Sequence, residues 1–338
     1  MVSEPRKIVL SGMRSTGRIH LGNYFGAVRN WVALQESYDC YYFAADWHAL
    51  TSDYADPSEI AANTLEVVAD WIASGVDPER SVVFVQSMVP EHAELHLLLS
   101  MITPLGWLER VPTYKEQIRQ LESRELETYG FLGYPLLQTA DIVLYRADLV
   151  PVGEDQASHL EISREIVRRF NSLYGEVFPE PKALFTPTPR VPGLDGRKMS
   201  KSYGNTIALA DSPEEIRRKC AGMFTDPARI RRKDPGHPES CNLFAFHRLL
   251  SPPEVAERVA VQCRAAEIGC VEDKRLLADQ IIAFLEPMRR RREEILADRG
   301  ELLRLLAAGS ERARERAGRT MDAVRAALRL DYRGAHSR

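Results

Sequence analysis

The chain has 338 residues, a hydrophobic share of 44% and a charged share of 28%, the proportions of a globular protein long enough for two domains. A formal net charge of −3 gives no overall attraction to nucleic acid, so no DNA partner is expected and any RNA contact must come from local basic patches. The first seven residues lack a signal peptide's apolar stretch, the near-apolar run Leu95 to Leu108 is too short to span a bilayer, and the odd cysteine count argues against a disulfide framework, so a cytoplasmic protein without membrane contact is expected.

In chain order, Ile8-Val9-Leu10 reads as a strand buried on both faces and ended by Ser11 and Gly12. Beyond it, Leu21, Tyr24, Phe25, Val28, Trp31 and Val32 recur at the spacing of a helix with one buried stripe. His20, Gly22 and Asn23 flank that helix's N-terminus, where free N–H groups and partial positive charge suit a phosphate and a glycine lets a ligand near the backbone. Neither the dinucleotide-binding glycine fingerprint nor the P-loop pattern occurs in the chain. Further strands are expected at Tyr41 to Ala45 and Val82 to Val85, with a helix across Pro57 to Ser74 between them. This α/β alternation predicts a parallel sheet whose ligands bind beyond the carboxyl ends of the strands, the edge where His48 and Gln86 follow the second and third strands.

From Glu94 to Leu121 the pattern is helical, and Leu95, Leu97, Leu98, Leu99, Met101 and Ile102 exceed one buried stripe, which suggests a partner helix or subunit. Tyr134, Gln138 and Asp141, four and then three apart, share one helix face. After a Pro- and Gly-rich loop from Phe185 to Gly196, Lys198 and Lys201 stand three apart among Ser200, Ser202 and glycines, as in a mobile loop that folds over phosphates. Past Asp211 the chain reads as helices only, and that shift marks a domain boundary.

Together, His20-Leu21-Gly22-Asn23 and Lys198-Met199-Ser200-Lys201-Ser202 resemble the HIGH and KMSKS motifs of class I aminoacyl-tRNA synthetases, with Asn23 in place of the final His. Within that class the chain resembles the tryptophanyl-tRNA synthetase family over nearly its whole length. Ser11 to Gly17, Val85-Gln86-Ser87 with Pro90 to Ala93, Leu149 to Gln156, His159-Leu160-Glu161 and Arg168 to Asn171 carry the likeness.

The resemblance implies a Rossmann-type catalytic domain over residues 1–210, with a helical insertion near 94–135 that carries a homodimer contact, and a helical anticodon-binding domain over 211–338. It implies activation of L-tryptophan by ATP with Mg²⁺, then transfer to tRNA(Trp). The attacking carboxylate is already an anion, so catalysis rests on alignment and on charge neutralisation rather than on a general base. His20, Asn23, Lys198 and Lys201 are the implied catalytic residues. Arg14, Ser15, Thr16, Gly22, Gly153, Glu154, Asp155, Val191, Met199, Ser200 and Ser202 complete the implied ATP site. For tryptophan, Asp141 would accept the indole N–H, Tyr134 and Gln156 would bind the α-ammonium, His48 would lie near the carboxylate, and Gln138 stands where many bacterial members carry Met.

The Tyr134-x-x-x-Gln138-x-x-Asp141 pattern also resembles that of the tyrosyl enzymes, which keeps tyrosine as the alternative substrate. Ser11-Gly12-Met13, however, lacks the tyrosine those enzymes carry beside the first strand. Thr113 and Gln117 depart from the family's commoner residues, while Lys115 remains. Some relatives hold a four-iron cluster on cysteines spaced much like Cys241, Cys263 and Cys270. Here Asp273 stands where the fourth thiolate would be, so either a cluster on three cysteines and Asp273 or plain free thiols are expected. Arg229, Arg231, Arg232 and Lys233, and separately Arg289 to Arg292, are candidate contacts to tRNA phosphates.

Overall fold

The structure, a computed structural model, describes residues 6–111, 114, 126–153, 157–186 and 191–332. Five parallel strands, β1 (Ile8–Arg14), β2 (Asp39–Ala45), β3 (Ser81–Val85), β4 (Leu149–Val152) and β5 (Lys182–Phe185), form one sheet in the order β3-β2-β1-β4-β5. This is the doubly wound, Rossmann-type arrangement. The order reverses between β1 and β4, which opens a crevice at their carboxyl ends.

Ser11 and Gly12 do not end β1, contrary to expectation. Ser11 pairs with Tyr42 and Gly12 with Phe43 in the parallel register. The Phe43 ring lies so close over Gly12 that an added Cβ would stand 2.4 Å from it, so the glycine is a packing requirement inside the strand. Strands β4 and β5 are only four residues each and carry too little periodicity to be read ahead of time.

The first helical run begins with Leu21–Asn23, passes through a π turn at Tyr24–Val28 and continues as Arg29–Leu34. It buries Leu21, Tyr24, Phe25, Val28 and Trp31, as the spacing requires. Helix Ile60–Ala73 falls inside the expected 57–74. In the stretch expected as an insertion, Leu95, Leu99 and Ile102 are core residues of and beyond helix Glu91–Ser100, while Leu97 and Met101 stay 54% and 71% exposed. About half of the apolar surplus is therefore spent inside the chain. Thr113, Lys115 and Gln117 lie outside the described residues.

Alternate residues of β1 to β3 feed two hydrophobic clusters, one on each face of the sheet: Val9, Tyr42 and Val83 enter one, Leu10, Phe43 and Phe84 the other. Both clusters continue into the C-terminal helices. Leu277, Leu285, Leu302 and Leu306 join the first; Ala313, Ala317, Met321 and Val324 join the second. The composition change near Asp211 thus coincides with no break in the core. Helix Arg299–Ala327 also lies directly on the edge strand, where the Val83 carbonyl oxygen sits 1.9 Å from where a Cβ on Gly309 would be, and Val85 N–H donates to Ser310 Oγ at 3.5 Å.

Candidate active site

Two backbone segments build one half of the site. His20 and Asn23 form a reciprocal capping box: Asn23 N–H donates to His20 Nδ1 (3.3 Å), and His20 N–H donates to Asn23 Oδ1 (3.2 Å). The His20 ring folds back so far that a Cβ on Gly22 would be 2.9 Å from it, which explains why His, Gly and Asn occupy one turn. Because Nδ1 is an acceptor, Nε2 carries the proton. Burial, helped by the charge of Lys201, lowers the His20 pKa to about 4, so the ring is neutral at physiological pH.

The lysine loop folds onto this turn. His20 bridges Ala208, Leu21 N–H donates to Ile207 O (2.9 Å), and Leu209 N–H donates to Ile19 O (2.9 Å). The Lys201 ammonium reaches across to the carbonyls of Thr16 (3.1 Å) and Gly17 (2.9 Å), and burial lowers its pKa to about 8 against the opposing charge of Asp70. Asn205 organises the loop from within, accepting from Ser200 N–H (2.8 Å) while donating to Asp195 (2.7 Å) and to Lys198 O (3.2 Å). Lys198 is exposed, Met199 and Val191 are buried, and the Ser15 hydroxyl is buried without a hydrogen-bond partner.

Next to this half lies a cavity of about 230 Å³ at the β1–β4 crevice. That is below the roughly 300–1,000 Å³ of drug-sized sites and suits a single small ligand. Leu10 to Gly12, Arg14, Phe43, Ala45, Phe131, Ile142 and Val150 to Val152 line it, together with His48, Tyr134, Gln138 and Asp141. The predicted helix face is therefore the cavity wall. Glu154, Asp155 and Gln156 lie outside the described residues, and Gly153 directly follows β4.

Asp141, 1% exposed, is the most constrained group in the cavity. Its Oδ1 accepts from Gln86 Nε2 (2.8 Å) and His92 Nδ1 (2.7 Å), and its Oδ2 accepts from His48 Nε2 (2.8 Å). Burial opposes its charge, but the hydrogen bonds from His48 and His92 outweigh that and hold the carboxyl well below the usual carboxylate range. Behind it, His92 Nε2 meets the Tyr145 hydroxyl at 2.8 Å. Burial pushes that phenol well above its ordinary value, so it stays protonated and donates, which leaves Nδ1–H of His92 to face Asp141. The result is an ionised carboxylate at the cavity wall, fixed in orientation from behind. His48, expected near a substrate carboxylate, lines the cavity and is bonded to Asp141.

A family model described as tRNA synthetases class I (W and Y) matches residues 3–286. The chain belongs to this family. Among its relatives, the tryptophan–tRNA ligase of Thermotoga maritima is 50% identical, with 96% of this chain and 99% of that protein covered. The tryptophan–tRNA ligase of Aquifex aeolicus is 44% identical over 95% and 99%. The crystal structure of the Campylobacter jejuni tryptophanyl-tRNA synthetase complexed with ADP and tryptophan superposes with a TM-score of 0.88 at 33% identity, covering 95% of this chain and 99% of that one. Within the class I synthetases the chain thus stands with the tryptophan branch.

For a class I synthetase of this branch, the cysteine region is arranged as a packed core. The Arg229 guanidinium lies 3.8 Å from Cys263 Sγ and 4.0 Å from Cys270 Sγ, and Asp273 accepts from His247 (3.0 Å). Among the described residues, no group of three His, Cys, Asp or Glu side chains is set to hold a metal ion, while burial, and then the neighbouring Cys241, Asp273 and Cys270, push the Cys263 thiol up. Arg229 also donates to the carbonyls of Arg232 and Ile268, which anchors its loop. In the second basic group, Arg289 and Arg290 pair with Glu286, and Arg292 pairs with Glu66 and Asp70; only Arg291 of that run has no ion pair among the described residues.

The sequence places Gln86 only at the ligand-binding edge and assigns no role to His92, Tyr145 or Asn205. Tyr145 was within reach of it, one helical turn beyond Asp141 on the face that carries Tyr134 and Gln138. The His92 contact depends on how helix Glu91–Ser100 packs on helix Tyr134–Leu144, and the Gln86 contact on where the turn after β3 ends, and no local pattern encodes either. No helix among the described residues is long and apolar enough to cross a membrane.

Proposed function

We propose that the cavity binds L-tryptophan and that the His20 turn and the Lys198–Ser202 loop bind ATP, so that the chain makes tryptophanyl-adenylate and passes the aminoacyl group to tRNA(Trp). The observation that carries this reading is Asp141, an ionised acceptor fixed in the wall of a small apolar cavity. An indole offers the N–H that a spare lone pair on Oδ2 can accept. A phenyl ring offers none, and leaving a buried acceptor short of a donor is costly. Tyr134 binds the α-ammonium, a role shared with Gln156, which lies outside the described residues, and Gln138 lines the same cavity.

The tryptophan carboxylate attacks the α-phosphate of ATP and pyrophosphate leaves. Neutral His20 donates Nε2–H to phosphate oxygen, backbone N–H groups of the turn add to it, and the Lys201 and Lys198 ammonium groups offset the charge that grows on the leaving pyrophosphate. Arg14, Ser15, Thr16, Gly153, Val191 and Met199 enclose the nucleotide, Ser200 and Ser202 flank the lysines, and Glu154 and Asp155, expected in the same site, lie outside the described residues. Mg²⁺ bound with ATP would supply further positive charge to the phosphates beside the Lys198 and Lys201 ammonium groups.

For tRNA, the basic tip Arg231, Arg232 and Lys233 is exposed and without ion pairs among the described residues, beside Ile230 at 86% exposure. The C-terminal helices supply the anticodon contacts. Leu97, Met101 and Leu105, with Tyr129 whose ring lies 6.5 Å from that of His96, form an apolar surface suited to a homodimer.

ATP–pyrophosphate exchange tests the amino-acid assignment: tryptophan should drive it and tyrosine should not. Exchange driven by tyrosine alone would overturn the specificity, and His20→Ala without effect on KM for ATP would overturn the nucleotide site.

A further inference from the structure

Asp70 lies on helix Ile60–Ala73, outside every motif named above, and is 1% exposed. Its Oδ2 accepts from Ile19 N–H at 3.3 Å, the residue immediately before His20. Its Oδ1 accepts from Arg292 Nε at 2.7 Å, and the same guanidinium bonds Glu66 through its terminal nitrogen. Arg299 lies 3.9 Å from Glu66. Arg292 and Arg299 belong to the C-terminal helices Cys270–Ala297 and Arg299–Ala327.

The segment Ile19 to Leu21 is thus gripped from two sides. Backbone bonds to Ile207 and Leu209 tie it to the lysine loop, and Asp70 ties it to the C-terminal region. We infer that Arg292, acting through Asp70, is a positioning residue for the ATP-binding turn, so that the C-terminal helical region sets how well the catalytic half holds nucleotide. A carboxylate buried this deeply is kept charged by its partner: burial pushes its pKa up to about 6 while Arg292 pulls against it. Its charge is also felt at Lys201, where it favours the protonated ammonium. Without Arg292, Asp70 becomes an unpaired buried charge directly behind Ile19, and relief comes either by taking up a proton or by moving. Either response changes the grip on the turn and the field at Lys201, while the amino-acid cavity, walled by Asp141 and Tyr134, shares none of these contacts.

The inference rests on the reading of the His20 turn as the ATP site. The test uses full-length Arg292→Met, Arg292→Lys and the pair Asp70→Asn with Arg292→Met, in tryptophan-driven ATP–pyrophosphate exchange. Arg292→Met should raise KM for ATP roughly three- to tenfold, the size of a coupling through shared contacts, with KM for tryptophan changed less than twofold. Arg292→Lys should recover part of that loss. The double variant should be no worse than Arg292→Met alone, because Asn still accepts from Ile19 and leaves no unpaired charge. Equal losses for both substrates, or an Arg292→Met enzyme with unchanged ATP kinetics, would overturn the inference. If His20→Ala raises KM for ATP while Arg292→Met does not, the site reading stands and the positioning role falls.

Discussion

Asp141 is surrounded by three side-chain donors, so its replacement tests more than one hydrogen bond. Asp141→Asn keeps the shape but turns an NH₂ toward groups that already donate. It should lower kcat/KM for tryptophan by one to two decades, the equivalent of roughly 1.5–3 kcal/mol for a charged acceptor. The same substitution should matter far less for a tryptophan analogue with sulfur in place of the indole N–H; equal losses for both would show that Asp141 does not read the ring nitrogen. A second prediction concerns pH. Lys201 titrates at about 8 in the free protein, so kcat/KM for ATP should fall as pH rises through that value, when the ammonium loses its charge. His20, at about 4, is already neutral below that range and cannot produce this limb. Lys201→Arg should move the limb to higher pH, and a limb that stays in place would belong to another group.

At the scale of elements, much was legible where period and position coincide. The stripe from Leu21 to Trp31, the strands at Ile8, Tyr41 and Val82, and the shared face of Tyr134, Gln138 and Asp141 each follow from spacing alone, because each is a contact within one element or its immediate edge. What was hidden belongs to contacts between elements far apart in the chain. Gly12 reads as a strand breaker until Phe43 is seen above it, and Arg292 reads as a candidate phosphate contact until Asp70 is found 222 residues away. Gly309 is another such case, a glycine in mid-helix with no local reason to be one. Gly309→Ala should destabilise the protein by about 1–3 kcal/mol, since a Cβ would collide with the backbone of Val83 and the helix would have to lift off the edge strand. Gly318→Ala in the same helix meets nothing within 4 Å and should be neutral or stabilising. Matching melting temperatures for the two variants would argue against the close approach.

For the whole molecule, a small net charge hides a concentrated basic tip. The formal net charge is −3, yet Arg231, Arg232 and Lys233 project together from a loop pinned at its base by Arg229 and by the Asp226–His237 pair (2.8 Å). Reversing all three to Glu should weaken tRNA affinity and flatten its salt dependence, by up to about three counterions' worth of slope, while leaving pyrophosphate exchange intact. An unchanged salt slope would move the contact elsewhere.

The way the last long helix lies on the sheet has a consequence for how the protein is made. Strand β3 emerges from the ribosome more than 200 residues before helix Arg299–Ala327, the element that covers its edge and completes both cores. Translation runs from the amino end, so the nucleotide-binding half waits through most of synthesis with an open strand edge and unfilled apolar faces. Ribosome-held chains halted near residue 297 should therefore remain protease-sensitive in β3 and bind chaperones, and release of the complete chain should bring protection abruptly rather than domain by domain. A halted chain already protected in β3 would mean that the sheet matures without its cover.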